Sequence, residues 1–239
     1  MPGKYLQGAF VQFMPTFLIP LPNIVIFQFN PETMTHTWTP AAPETTASGG
    51  NKPNPLAVKG LPGEAFSFNL AMDASDMIAD GSVVAQGLAT ATGIYSRLAA
   101  LEMLLYPTGS FTSNQLLGSV SSAISSALGG SSTATDPTVP QYMMPTVLFV
   151  WGPMRILPVR LTSLTITEKL YDALLLNPTH AEAQVGLQVL TPDEVTALSD
   201  SLSSIATVAY DFSQAFRQAM ALANLANAAE SIIGMLPFG

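Results

Sequence analysis

The chain has 239 residues, of which 48% are apolar and only 10% charged, with a net charge of −8 and no cysteine. The eight basic residues are scattered singly and offer no patch to neutralise phosphates, which argues against nucleic-acid binding; without cysteine there is neither a disulfide scaffold nor a thiolate metal site. Typical soluble domains carry about 25% charged residues, so this composition implies a surface largely covered by other subunits, with a membrane protein as the alternative to test segment by segment.

The start, Met1-Pro2-Gly3-Lys4, does not match a secretory signal. Phe10 to Phe27 is apolar, but Pro15, Pro20 and Pro22 interrupt it and Gln12 and Asn23 add polar atoms. Direct membrane insertion is therefore not expected, and cytoplasmic synthesis and folding are. Ile24 to Phe29 and Met34 to Thr39 read as two strands joined by the turn Asn30-Pro31-Glu32-Thr33. This β-hairpin is the element around which a barrel or sandwich is expected. Ile24 to Phe27 is apolar on successive residues, predicting cover on both faces, whereas Met34, His36 and Trp38 alternate with threonines as in a half-buried strand. Pro40 to Pro62 reads as a long loop.

Glu64 to Met72 is the cleanest strand, with Phe66, Phe68, Leu70 and Met72 on one face. Asp73, Asp76 and Asp80 lack the ligand order of an EF-hand and read as a solvated or capping patch. From Leu88 to Tyr106 apolar residues recur at helical spacing up to Pro107, predicting a single helix packed over the sheet. Gly109 to Pro140 is rich in Ser and Gly and is read as flexible, with a weak helix at Leu116 to Leu128. Thr146 to Trp151, Pro158 to Thr167 and Ala181 to Leu190 are three further strands, the last with Ala183, Val185, Leu187 and Val189 inward, and Tyr171 to His180 is a connection.

Thr191-Pro192-Asp193-Glu194 forms a capping box with proline at the first helical position. Val195, Leu198, Leu202, Ile205, Ala209, Phe212 and Phe216 then recur by three and four, an a/d-type seam. Unbroken, the helix would run roughly 60 Å and dock partly on neighbouring copies; the alternative is two antiparallel helices broken near Tyr210 to Ser213. Asn224 and Asn227 argue against a membrane span. The expected organisation is a β domain over 1–190, with flexible insertions about 40–62 and 109–140, and a helical extension over 191–239.

Little points to chemistry. His36 and His180 lie in different blocks without ligand-type spacing, no nucleophile elbow, phosphate loop or dinucleotide fingerprint occurs, and Trp38 and Trp151 fall within strands and read as core. No catalytic, cofactor-binding or metal residue is nominated, no cofactor is expected, and an enzyme is not expected.

Phe27-Gln28-Phe29-Asn30-Pro31-Glu32-Thr33, the Glu64 to Asp73 strand, Val147-Leu148-Phe149-Val150-Trp151-Gly152, Leu157 to Thr167 and Asn177-Pro178 to Leu190 occur in an order that resembles the tube-like baseplate proteins of extracellular contractile injection systems, relatives of phage tails. The likeness covers roughly Lys4 to Leu190. It implies an α+β, mainly β fold like the inner-tube subunit: a β-barrel with one packed helix, arranged as a homo-hexameric ring in the baseplate hub. Such a ring adapts the central spike to the inner tube, with the spike, inner-tube or tube-initiator proteins and other baseplate subunits as partners, in a particle that is released or attached to the envelope. Many such proteins carry a C-terminal LysM module; here the helix from Thr191 takes its place, which puts cell-wall binding in doubt. Phe29, Asn30 and Pro31 at the turn and Leu198, Leu202, Ile205, Phe212 and Phe216 on the seam are the candidate interaction residues. The alternatives are an inner-tube subunit or tube terminator of the same machine, or an envelope- or membrane-associated binding protein.

Overall fold

Alternating apolar and polar residues build one seven-stranded antiparallel sheet in the computed structural model, which describes residues 6–14, 21–44, 56–79, 83–106, 144, 146–196 and 203–235. The strands are β1 (Ala9–Met14), β2 (Leu21–Ile26), β3 (Met34–Thr39), β4 (Ala42–Pro43), β5 (Val58–Lys59), β6 (Gly63–Asp73), β7 (Val147–Val150), β8 (Ile156–Tyr171) and β9 (Pro178–Val189). Across the sheet the order is β2-β1-β7-β8-β9-β6-β3; β4 and β5 form a separate two-residue ladder within the segment expected to be a loop. Helices α1 (Ala74–Ala79), α2 (Val83–Thr92) and α3 (Tyr95–Glu102) follow β6, and α4 (Pro192–Thr196) and α5 (Ser203–Met235) follow β9. The fold is thus mixed α and β and mainly antiparallel sheet. Among the described residues it is neither a closed barrel nor a two-sheet sandwich, which corrects that expectation. The expected flexible stretch 109–140 lies outside the described residues.

The expected hairpin between the second and third strands does not form. β2 pairs with β1 and β3 with β6, at opposite ends of the sheet. The reason is direction: the six antiparallel pairings that separate β2 from β3 leave both running the same way. A hairpin needs opposed strands, and a parallel crossover needs a dozen or more residues, far more than 27–33 supply. Residues 21–39 are instead one bent path whose first half pairs with β1 and whose second half pairs with β6. A path that short can join both ends of the sheet only if the sheet curls on itself.

The interior of that curl is aromatic. Phe10, Phe27, Phe66, Phe68 and Phe149 are all buried, with ring centroids of Phe10 and Phe27 5.0 Å apart and those of Phe68 and Phe149 5.6 Å apart. The inward row of β6 matches the expected one and begins two residues earlier, at the buried Glu64. In β9, Ala183, Val185, Leu187 and Val189 are buried as the alternation predicts. In β2, by contrast, Ile24 and Ile26 are about half exposed, at 52% and 53%, so that edge strand is covered on one face only. Trp38, expected in the core, is 45% exposed on edge strand β3, while Trp151 packs against Phe27 and Phe149.

The helix expected over Leu88 to Tyr106 is broken. Gly93 (φ +58°) separates α2 from α3, and its carbonyl-facing side meets Pro178 so closely that a Cβ there would sit 2.3 Å from the Pro178 oxygen. Only glycine adopts that backbone at no steric cost, and the turn it makes lets Ile94 N–H donate to Pro178 O (3.0 Å). Ile94, Leu98, Leu101 and Leu104 then drop into the core.

After β9 the Glu194 half of the capping box forms: Thr191 N–H (2.8 Å) and the Thr191 hydroxyl (3.0 Å) both donate to Glu194 Oε2 at the start of α4. The long helix is described from Ser203 and runs without interruption through Tyr210 to Ser213, so the alternative of two helices broken there is overturned. Its 33 residues span about 50 Å. The seam read from sequence is divided in space: Ala209 is buried, whereas Ile205 and Phe212 are exposed.

Candidate functional site

Two constructions follow from this curl: a pinned corner joining the ends of the sheet, and an anchor holding α5 across it. At the corner, Phe27 N–H donates to Gly8 O (2.8 Å), and Asn30 accepts from Gly8 N–H (2.9 Å) while donating to Leu6 O (2.8 Å). Gln28, which is buried, reaches the opposite end of the sheet: its amide donates to Asp73 O (2.8 Å) and accepts from Asp73 N–H (3.0 Å). The side-chain amide thus makes the two bonds that a neighbouring strand would make there. Asp73 is tied to β9 as well, with His180 Nδ1 3.2 Å from its carboxylate. Beside this corner lies an open groove of about 760 Å³, lined by Phe29, Pro31, Asn69, Ala71 and Glu182 among others.

The anchor centres on Glu64, only 3% exposed at the end of the inward row of β6. A buried carboxylate needs paired, hydrogen-bonded partners. Arg217 of α5 supplies a two-pronged ion pair, one prong at 2.8 Å from Oε2 and the other on Oε1, and His36 of β3 adds Nε2 at 2.8 Å. The Arg217 guanidinium also lies 4.9 Å from the centre of the Trp38 ring, and His36 stacks on Phe66 at 4.2 Å. One turn earlier on the same face, buried Ser213 accepts from Ile156 N–H (3.1 Å) and donates to Ile156 O (2.8 Å). This hydroxyl occupies the backbone groups at the start of β8.

A third feature is apolar and exposed. At the β8–β9 tip, Leu170, Tyr171, Leu174, Leu175 and Leu176 all project into solvent, Leu174 at 90%. Leu170 (φ 54°) and Leu176 (φ 55°) adopt the left-handed region, where side chains are rarely found. Asp172 holds the loop by accepting from the N–H groups of Leu174 and Leu175, which together lower its carboxyl pKa.

The sequence-predicted residues therefore divide by role. Asn30 is a staple, its side-chain amide bonded to the backbone of Leu6 and Gly8; it lines the groove with Phe29 and Pro31, Phe29 41% exposed. Ile205 and Phe212 are exposed on α5, Phe216 is half-buried, and Leu198 and Leu202 lie outside the described residues. Sequence reasoning missed Gln28, the Glu64–Arg217 pair and the tip leucines. Glu64 did carry a signal, since it sits in phase with the apolar row of β6. Among the described residues no group of three or more His, Asp or Glu side chains gathers to hold a metal ion, and no helix is long and apolar enough to cross a membrane. No protein-family model matches the chain, and no curated protein matches it.

Proposed function

We propose that this chain is a structural subunit that joins copies of itself edge to edge into a closed ring. The observation that carries the reading is the pair of edge strands, β2 and β3, that end the sheet among the described residues with no further strand paired to either. Free edges in a solitary protein are normally blunted by charge, proline or a covering element. β2 carries Pro22 and meets α3 where Asn23 Nδ2 donates to Ala100 O (3.4 Å), yet it still shows Ile24 and Ile26, and β3 shows threonines and Trp38. Because the two edges run in the same direction, a copy related by rotation can bring its β2 beside the β3 of its neighbour, and a head-to-tail contact of this kind closes into a ring when the rotation between copies divides a full turn. The sparse charge over the whole chain fits a surface that other subunits cover.

The resemblance narrows the proposal to a hexameric hub ring that adapts the spike to the inner tube of a contractile injection particle. It would act by setting diameter and register for tube growth rather than by a reaction. An inner-tube subunit or terminator is the nearest variant, and the long C-terminal helix favours the adaptor, because a repeating tube subunit leaves little room for such an appendage. Negative-stain imaging and sedimentation of the purified chain test the reading. Rings of uniform subunit number are expected, and their loss in an Ile24→Lys/Ile26→Lys variant is expected to follow; monomers at every concentration would end the proposal.

A further inference from the structure

The outward face of α5 carries a heptad repeat that the docked face does not use. Ile205, Val208, Phe212, Ala215, Ala219 and Leu222 follow one another by three and four residues, all exposed, with Val208 and Leu222 each 67% accessible. The same spacing continues in the sequence through apolar residues to Ile233, about four heptads in all. The residues of α5 that are buried or bonded to the sheet, Ala206, Ala209, Tyr210, Ser213 and Arg217, fall at positions of the repeat outside this seam. One helix therefore has a docked side of mixed apolar and polar residues and, apart from it, an apolar stripe that the described residues of its own fold leave exposed.

We infer that the outward seam pairs with the same seam of a second copy of this chain, as a parallel, in-register helix pair. A sustained apolar repeat every 3.5 residues is the pattern that supercoils one helix against another, and a flat sheet or a globular groove does not demand it. The alanines at 215 and 219 let two backbones approach closely. Charge points to a self-pair: residues 203–235 contain only Asp211, Arg217 and Glu230 as charged side chains, and Arg217 is taken by Glu64. A strongly charged partner would find only the two flanking carboxylates, Asp211 and Glu230, to match. In a parallel pair, Asp211 falls opposite Phe216 of the other copy and Glu230 opposite Leu225, so no like charges meet. The pairing rests on the self-assembly reading only in requiring a second copy; it uses a different surface from the strand edges.

The test uses the full chain. Val208→Glu/Leu222→Glu places charge on two exposed seam positions without touching the docked face. Self-association measured by sedimentation is expected to weaken by at least about tenfold, since the pair would have to bury those charges, with the circular-dichroism spectrum unchanged. The chain has no cysteine, so Ala215→Cys gives a clean probe: oxidation is expected to yield a disulfide-linked dimer, and Asn224→Cys, pointing away from the seam, is expected to yield none. Association unchanged by the two glutamates, a wild-type chain monomeric throughout, no crosslink at Ala215, or equal crosslinking at Asn224 each overturns the pairing. Rings that persist in the glutamate variant would remove this inference and leave the ring reading standing; crosslinked dimers without rings would do the reverse.

Discussion

The side chain of Gln28 bonds both backbone groups of Asp73, donating at 2.8 Å and accepting at 3.0 Å, and so joins the two ends of the sheet where no strand does. Gln28→Leu keeps the bulk but leaves Asp73 N–H and O without these partners. A fully buried group so abandoned costs about 1–3 kcal/mol; these two are part-buried, so a loss of about 2–4 kcal/mol in urea unfolding, below the top of the summed range, is expected. A variant as stable as wild type would mean that the corner is held by Asn30 and the phenylalanines alone.

Arg217 fixes α5 by neutralising Glu64. Removing one partner from a buried ion pair costs about 3–5 kcal/mol; since Arg217 is itself 28% exposed, Arg217→Ala is expected near the lower end. Glu64→Gln should cost less, because it removes the buried charge along with the pair, and the double variant should fall short of the sum. Additive losses in the double-mutant cycle would show that the two residues do not act as a unit.

Gly93→Ala combines a left-handed backbone with a Cβ placed 2.3 Å from Pro178 O. The backbone alone costs about 1–2 kcal/mol, and the clash pushes α3 away from its hydrogen bond to β9. A fall in stability of at least about 2 kcal/mol is expected by thermal or chemical unfolding. A neutral outcome would contradict the docking of α3 described here.

At the β8–β9 tip the expected sign reverses. Leu170→Gly and Leu176→Gly relieve left-handed strain at side chains that are 73% exposed, and each should stabilise the isolated chain by about 0.5–1 kcal/mol. If the tip leucines also contact other subunits, the same variants should assemble less well. Stability and assembly would then move in opposite directions, which calorimetry and sedimentation on one sample can read.

Burial pushes the Asp73 carboxyl up, but the Ser75 N–H and His180 pull it further down, leaving its pKa below the ordinary 3.8. A carboxyl whose folded pKa is depressed contributes stability that is fully present above the unfolded value and lost as pH falls through the folded one. Stability should therefore decline below about pH 4, and Asp73→Asn should flatten that part of the acid limb. Superimposable acid profiles for the two proteins would remove Asp73 from the account.

Much of the local structure was legible in residue order. The alternation in Glu64 to Met72 and in Ala181 to Leu190 fixed which side chains of β6 and β9 point inward, and Thr191 with Glu194 marked the start of α4. These features depend on neighbours within a few residues, where period and capping chemistry are decided. The Ile24 and Met34 strands were found too, but their partners were not. A turn signal says that the chain bends; it does not say whether the next strand returns along the first or continues past it to a different one.

That choice belongs to tertiary structure. The number of strands between β2 and β3 sets their relative direction, and only the curl of the sheet brings Gln28 to Asp73 and Glu64 beneath Arg217, contacts spanning 45 and 153 residues. The same holds for α5: its apolar positions are plain in the sequence, yet which stripe is docked and which is bare depends on where Glu64 and Ile156 stand to receive Arg217 and Ser213. Residue order by itself determined the elements, their inward faces and the scarcity of charge. Packing decided the pairing, because hydrophobic burial is non-directional and satisfies any arrangement that hides the same area, while the few buried polar groups accept only one.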